Sequence, residues 1–228
     1  LQLSADRAKS LLKDSWPLIL SSIAITMYMK IDQIMLGQMI GDEAVGIYGA
    51  AVRVSEVWYF IPMAIVASVF PAILEAKKRS LTEYYARLQK LYDLMVLISV
   101  AVALPMTFLS GPIIGLLFGE AYSGAGTLLA IHIWASVFVF LGVASGKYFL
   151  AENWQILSFQ RTALGAIVNV ALNFLLIPKY STVGASIATV LSQAIAAWLF
   201  DAIQPITRGL FLMKTKSMNP YRIVKRLG

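Results

Sequence analysis

Apolar residues run along this chain in long blocks separated by short polar breaks, with helical rather than alternating spacing. A bilayer core about 30 Å thick is crossed by roughly 20 helical residues. Six blocks come near that length: 16–36, 45–74, 91–109, 128–150, 162–177 and 183–203. The fifth is short and spans only with local thinning or protein neighbours, whereas the second is long and must tilt, kink near Pro62 or project into water. The pattern predicts an all-α integral membrane protein, a six-transmembrane-helix bundle over 16–203, with a lead-in at 1–15 and a basic tail at 204–228.

Composition agrees. The chain has 228 residues, 59% hydrophobic and 14% charged, and its mean hydropathy is +0.74. A soluble monomer of this size cannot hide that much apolar surface. Cysteine is absent, which excludes a disulfide scaffold. The net charge of +7 would suggest nucleic acid in a soluble chain; here it is read by position, and no nucleic-acid partner is expected. Of 19 basic residues, those at 7–13, 77–90, 147–161 and 208–226 fall on one side of the predicted spans, and only Lys179 falls on the other. Positive charge stays cytoplasmic, so both ends are predicted to face the cytoplasm.

Two segments beside the spans carry further signals. Ser80-Leu-Thr-Glu83 reads as a capping box that starts an interfacial helix feeding the third span and anchoring on membrane lipid. Gly111-Pro112 reads as the end of that span, with Ile113 to Phe118 lying at the outer surface.

The chemistry on offer is narrow. One histidine, His132, and no cysteine rule out thiol nucleophiles and multi-histidine metal sites within the chain. No phosphate loop of the GxxxxGK[ST] kind is present and no paired carboxylates recur in a polar loop, so no enzyme activity and no resident cofactor are expected. His132 lies inside the fourth span and is expected to hydrogen-bond across a helix interface, with proton relay as the alternative.

The informative residues are charges inside helices. Lys30 and Asp32 each cost about 2.5–3.5 kcal/mol at the centre of a bilayer. Ser22, Thr26, Lys30, Gln33 and Gly37 recur at helical steps and form one polar stripe; Asp32 points the other way, alongside Tyr28 and Met35. In the second span Gly46, Gly49, Arg53 and Glu56 share a face, which predicts close-packing glycines followed by an ion pair. Lys30 and Arg53 both fall about 9–12 Å below the outer boundary at ~1.5 Å per residue, so antiparallel neighbours can place both around one cavity. Two readings stay open: these charges bind an anionic substrate, or they only pair with Glu56 and Asp32 to hold helices together. Asn169 and Asn173 in the fifth span and Gln193 in the sixth are expected to bond helix to helix, with ligand contact as the alternative.

At this point the residues become familiar. Lys30-Ile-Asp-Gln-Ile-Met-Leu-Gly37 followed by Ala44-Val-Gly-Ile-Tyr-Gly-Ala-Ala51, with Pro62 and a Pro71 exit, resembles the seventh and eighth helices of bacterial polysaccharide-repeat flippases of the Wzx type. Gly115-Leu-Leu-Phe-Gly-Glu-Ala-Tyr122 resembles the family's outer turn after helix nine. Asn169-Val-Ala-Leu-Asn-Phe-Leu-Leu-Ile-Pro178 with Gly184-Ala-Ser-Ile-Ala-Thr189 resembles its last helix pair. The resemblance implies the multidrug, oligosaccharidyl-lipid and polysaccharide exporter superfamily, in which two six-helix bundles related by a pseudo-two-fold axis form a twelve-helix transporter. This chain would be the carboxy-terminal bundle, with an amino-terminal six-helix half as its missing partner and a polysaccharide polymerase as a further one. The implied substrate is an undecaprenyl-pyrophosphate-linked oligosaccharide for exopolysaccharide or lipopolysaccharide O-antigen, moved across a bacterial cytoplasmic membrane on a proton or sodium gradient. The transport residues would be Lys30, Arg53, Glu56, Asp32, Gln33, Asn169, Asn173 and Gln193. The rival expectations are a multidrug or cation antiporter of the same superfamily and a stand-alone six-helix channel or assembly subunit.

Overall fold

The computed structural model describes residues 29–219 together with positions 16, 19, 20, 23 and 26. The lead-in, Ser22, Tyr28 and the tail beyond residue 219 lie outside them. Every regular element among the described residues is helical. Helix α1 covers 29–39. After Gly41, at φ 127, come α2 (Asp42–Glu56), a 3-10 turn (Val57–Tyr59) and α3 (Phe60–Arg79). Pro62 sits just past the turn. It has no N–H to donate and its ring crowds the carbonyl of residue 58, which explains the tighter winding there. The helix runs on through Pro71 rather than ending at it, and reaches Arg79.

Ser80 is extended (φ −159, ψ 131) and opens α4 (Leu81–Phe118), a continuous 38-residue helix that joins the expected interfacial segment to the third span. The capping box is only half made: Ser80 takes the cap position, but its side chain makes no capping bond and Glu83 turns to Arg87 at 2.7 Å. The expected stop at Gly111-Pro112 is absent; α4 continues to Phe118 and ends before Gly119, at φ 80. Gly111 serves packing instead, since a Cβ on Gly126 would stand 3.0 Å from its Cα. Helices α5 (Ala125–His132) and α6 (Ala135–Ala151) are bent by 40° at their junction.

Helix α7 (Gln155–Ala194) folds back on itself at Ser181 (φ 51, ψ −134). Gly165 meets Ala196 (2.8 Å to an added Cβ), Asn169 Nδ2 reaches Ser192 Oγ at 3.4 Å, and a Cβ at Gly184 would collide with the Leu176 carbonyl. These pairings put two antiparallel arms side by side. The reversal expected at Pro178-Lys179-Tyr180 therefore falls just beyond it, on a serine in a conformation that suits glycine. Ser181→Gly is expected to raise stability by about 1 kcal/mol, strain relief exceeding the entropy that glycine adds to the unfolded chain; thermal unfolding in detergent checks it.

A five-residue π-helical stretch, Ile195–Leu199, carries the second arm into α8 (Phe200–Ile203), and α9 (Arg208–Ser217) follows. Part of the expected basic tail is thus packed structure. Gln89 on α4 donates to Met213 O at 3.0 Å and Ser217 Oγ at 2.8 Å, and Lys214 is buried.

Three helical stretches are long and apolar enough to cross a bilayer: Asp42–Arg79, Leu81–Phe118 and Gln155–Ile203, the last being the folded-back one. The bent pair Ala125–His132 and Ala135–Ala151 makes a fourth. Their outer faces carry bare apolar side chains such as Phe108 and Leu116, at 76% and 87% exposure, which suits lipid rather than water. The protein is a helical, multi-pass membrane protein. Two apolar cores hold it: one around Leu36, Tyr48, Ile114 and Leu129, the other around Tyr84, Tyr92, Phe140 and Phe149.

Candidate functional site

Lys30 and Gln33 on α1 and Arg53 and Glu56 on α2 line one hollow of about 310 Å³, closed on one side by Phe118 and Tyr122. The helical spacing read in the sequence brings these four together. The glycines do not act as expected. An added Cβ at Gly49 meets nothing within 4 Å, and one at Gly46 meets only Tyr122 at 4.0 Å, so they open the hollow by withholding side chains rather than by packing helices. The expected ion pair also does not form. The salt bridges among the described residues are Lys77–Glu152, Lys78–Glu75, Arg87–Glu83 and Lys214–Asp201, and neither Lys30 nor Arg53 takes part. Arg53 is exposed while Glu56 is half-buried and also faces a second hollow.

Asp32 faces away from Lys30 and is 4% exposed. Tyr48 donates its hydroxyl to Oδ2 at 2.8 Å, Thr189 donates to the same oxygen at 2.5 Å, and Asn173 Nδ2 donates to Oδ1 at 2.5 Å. All three donors are neutral, and no cation stands within salt-bridge distance. Three hydrogen bonds hold a carboxylate in place without cancelling its charge. Asn173 Nδ2 also reaches Asn169 Oδ1 at 3.2 Å, while its own Oδ1 is buried without a partner. Two turns of α2 beyond Tyr48, His132 Nδ1 meets Ser55 Oγ at 2.9 Å, the interface bond expected of it.

A second hollow, also of about 310 Å³, opens on Asp32, Tyr48, His132, Glu56, Arg161 and Gln193 among others. Val52 and Glu56 line both hollows, so α2 is the partition between them. Asn169 and Asn173 line neither. They are fully buried and bond to Asp32 and Ser192 across helices, because at that depth an amide must find a partner inside the protein. Sequence reasoning did not single out Tyr48 or Arg161. Tyr48 occurs in an apolar run, and only its distance from Asp32 in space reveals its part. Arg161 reads as a loop charge unless the helix is started at Gln155.

The family described as polysaccharide biosynthesis protein matches residues 3–77, which include Lys30, Asp32 and Arg53. A probable low-salt glycan biosynthesis flippase, Agl15 of Haloferax volcanii, is 26% identical over 196 residues, 84% of this chain and 41% of the relative. The probable flippase AglR of the same organism is 27% identical over 75% of this chain and 37% of its own length. The capsular polysaccharide biosynthesis protein CapF of Staphylococcus aureus is 24% identical over 79% of this chain and 46% of its own. The chain thus spans roughly two fifths of these relatives. No solved structure matches it. Over the helices that carry the charges the chain is thus similar to a polysaccharide biosynthesis family, and along most of its length to two proteins named as probable flippases and one named for capsular polysaccharide biosynthesis.

Proposed function

We propose that this chain is the carboxy-terminal bundle of a flippase that moves an undecaprenyl-pyrophosphate-linked polysaccharide repeat unit across a bacterial cytoplasmic membrane, completed by an amino-terminal six-helix half. In this reading the bundle itself has six membrane-crossing helices and both ends in the cytoplasm. The observation that carries the reading is the hollow in which Lys30 and Arg53 stand together without a salt-bridge partner. A pyrophosphate cannot enter hydrocarbon bare; charged hydrogen bonds from an ammonium and a guanidinium replace the water it leaves. Gln33 adds a neutral donor on the same wall. Gln193, in the second hollow, is placed to meet sugar hydroxyls; Asn169 and Asn173 act through Asp32.

Energy would come from a proton or sodium ion, taken up at Asp32. Its charge is held by neutral donors only, so a small cation gains an uncompensated carboxylate there, with the hydroxyl of Thr189 and the free Oδ1 of Asn173 close by.

Replacing Lys30 or Arg53 with glutamine in cells that depend on this gene is expected to cut surface glycan at least about tenfold, the loss of one charged hydrogen bond pair. Membrane levels of the protein should stay normal. Full export in both variants would return the two cations to a structural role. The second reading, a cation antiporter of the same superfamily, is favoured by Asp32 and Glu56 facing the second hollow. It would show as lost resistance to cationic dyes in Glu56→Gln with glycan export intact.

A further inference from the structure

Arg161 sits on the first arm of α7, 8% exposed, and does not line the Lys30 hollow. Nη2 donates to Gly142 O at 3.2 Å and the guanidinium lies 5.0 Å over the Phe149 ring, but Nη1 is buried without a partner. Nothing in the mechanism above uses it. The side chain lines the second hollow, twelve residues before Asn173, which bonds Asp32, hence about 18 Å along the helix from that contact.

No salt bridge among the described residues reaches Arg161, and the carboxylates that share its hollow, Asp32 and Glu56, enter from other helices. Lys214, fully buried, binds Asp201 at 2.5 Å, and the same Asp201 is near enough to act on Arg161 electrostatically. Asp201 is thus taken by Lys214, and Arg161 has no ion-pair partner of its own among the described residues. An uncompensated buried charge is costly, and an arginine with a free N–H is the side chain best shaped to take a phosphate oxygen. The wall beside it is small and apolar, formed by Gly142, Val143, Gly146 and Ala197, and a Cβ at Gly146 would meet nothing within 4 Å. Ser158, three residues earlier on the same face, brings a hydroxyl to the rim.

We infer that this end of the second hollow is a phosphate site anchored by Arg161, taking a phosphate or pyrophosphate group with a short apolar stem against the Gly142–Gly146 wall. It lies apart from Lys30 and Arg53, with Glu56 between the two. The site rests on the flippase reading only for the choice of a lipid pyrophosphate as first probe.

Farnesyl pyrophosphate is titrated into the full chain in nanodiscs of neutral lipid, followed by calorimetry. Trp154, 6.3 Å from the Phe149 ring beneath Arg161, gives a second signal in its fluorescence. Binding is expected to weaken at least about tenfold in Arg161→Gln and less in Arg161→Lys, which keeps the charge but not the fork. Gly146→Leu fills the wall without touching Arg161 and should block binding while the melting temperature holds. Inorganic pyrophosphate binding as tightly as the farnesyl form assigns the site to a free phosphate, and competition by phosphatidylglycerol assigns it to a membrane lipid; either result keeps the site. The inference falls if none of the three probes binds. It also falls if Arg161→Gln and Gly146→Leu bind like the wild type, or if Arg161→Gln only lowers the melting temperature, as a plain Asp201 contact would. Intact binding in Arg161→Gln together with lost export in Lys30→Gln and Arg53→Gln would remove this site alone. The opposite pattern would remove the flippase reading and leave the site.

Discussion

Lys214→Ala is expected to destabilise the bundle by about 3–5 kcal/mol, the cost of stranding one member of a buried ion pair. Both side chains of the pair are fully shielded, and the ammonium also donates to the Ala197 carbonyl at 2.6 Å. Burial pushes the lysine down, to about 8, while the Asp201 carboxylate holds it up. The two single variants should therefore differ. In Asp201→Asn the lysine can shed its proton and stay buried neutral; in Lys214→Ala the carboxylate has only distant Arg161 to answer it, and Oδ1 already lacks a partner. Replacing both by Leu and Met should come close to neutral, since an ion pair replaced by packed apolar groups often costs nothing. Thermal unfolding of the four proteins in one detergent checks the order. A loss below about 1 kcal/mol in Lys214→Ala would mean that α9 is not anchored there.

Asp32→Asn is expected to separate stability from transport. Removing an unneutralised carboxylate from the interior relieves desolvation, so the melting temperature should hold or rise. Transport should fall by roughly a hundredfold, because a neutral amide cannot take up a proton or cation at the same place. A purely structural Asp32 gives the other result, lowered stability with export falling only in proportion to the folded protein. Asp32→Ala is the harsher control: Tyr48, Thr189 and Asn173 each lose an acceptor, at about 1–3 kcal/mol per stranded group less what they recover from one another. The contrast between Asn and Ala reads the charge apart from the hydrogen bonds.

What could be read along the chain was whatever a single helix decides. Lys30 with Gln33, and Arg53 with Glu56, share faces by spacing alone, and those faces line one hollow. The opposite orientation of Asp32 followed from its two-residue offset. Its partners did not, because Tyr48, Asn173 and Thr189 lie 16, 141 and 157 residues away. Proline and glycine were uneven guides: Pro62 adjoins a real break in winding and Pro178 nearly marks the reversal at Ser181, whereas Gly111-Pro112 stops nothing. Gly111, Pro112 and Pro71 look like stops, but the helices run on past them, which packing inside a bundle allows. Lys214 and Arg161 look like solvated charges because no local pattern reports that α9 folds under α8 or that Phe149 covers a guanidinium.

The shared wall has a mechanical consequence. Tyr48 and Arg53 ride on one rigid rod, about 7.5 Å apart along its axis, one touching the buried acid and the other facing the opposite compartment. A headgroup that tugs Arg53 cannot leave Tyr48 where it was, and a 2.8 Å hydroxyl contact tolerates little drift. The switch to tighter 3-10 winding at Val57–Tyr59, directly after Glu56, interrupts the α-helical ladder and gives that rod a place to swivel. Cargo and driving ion would then be geared to each other through a single piece of backbone, with no loop or lid in between.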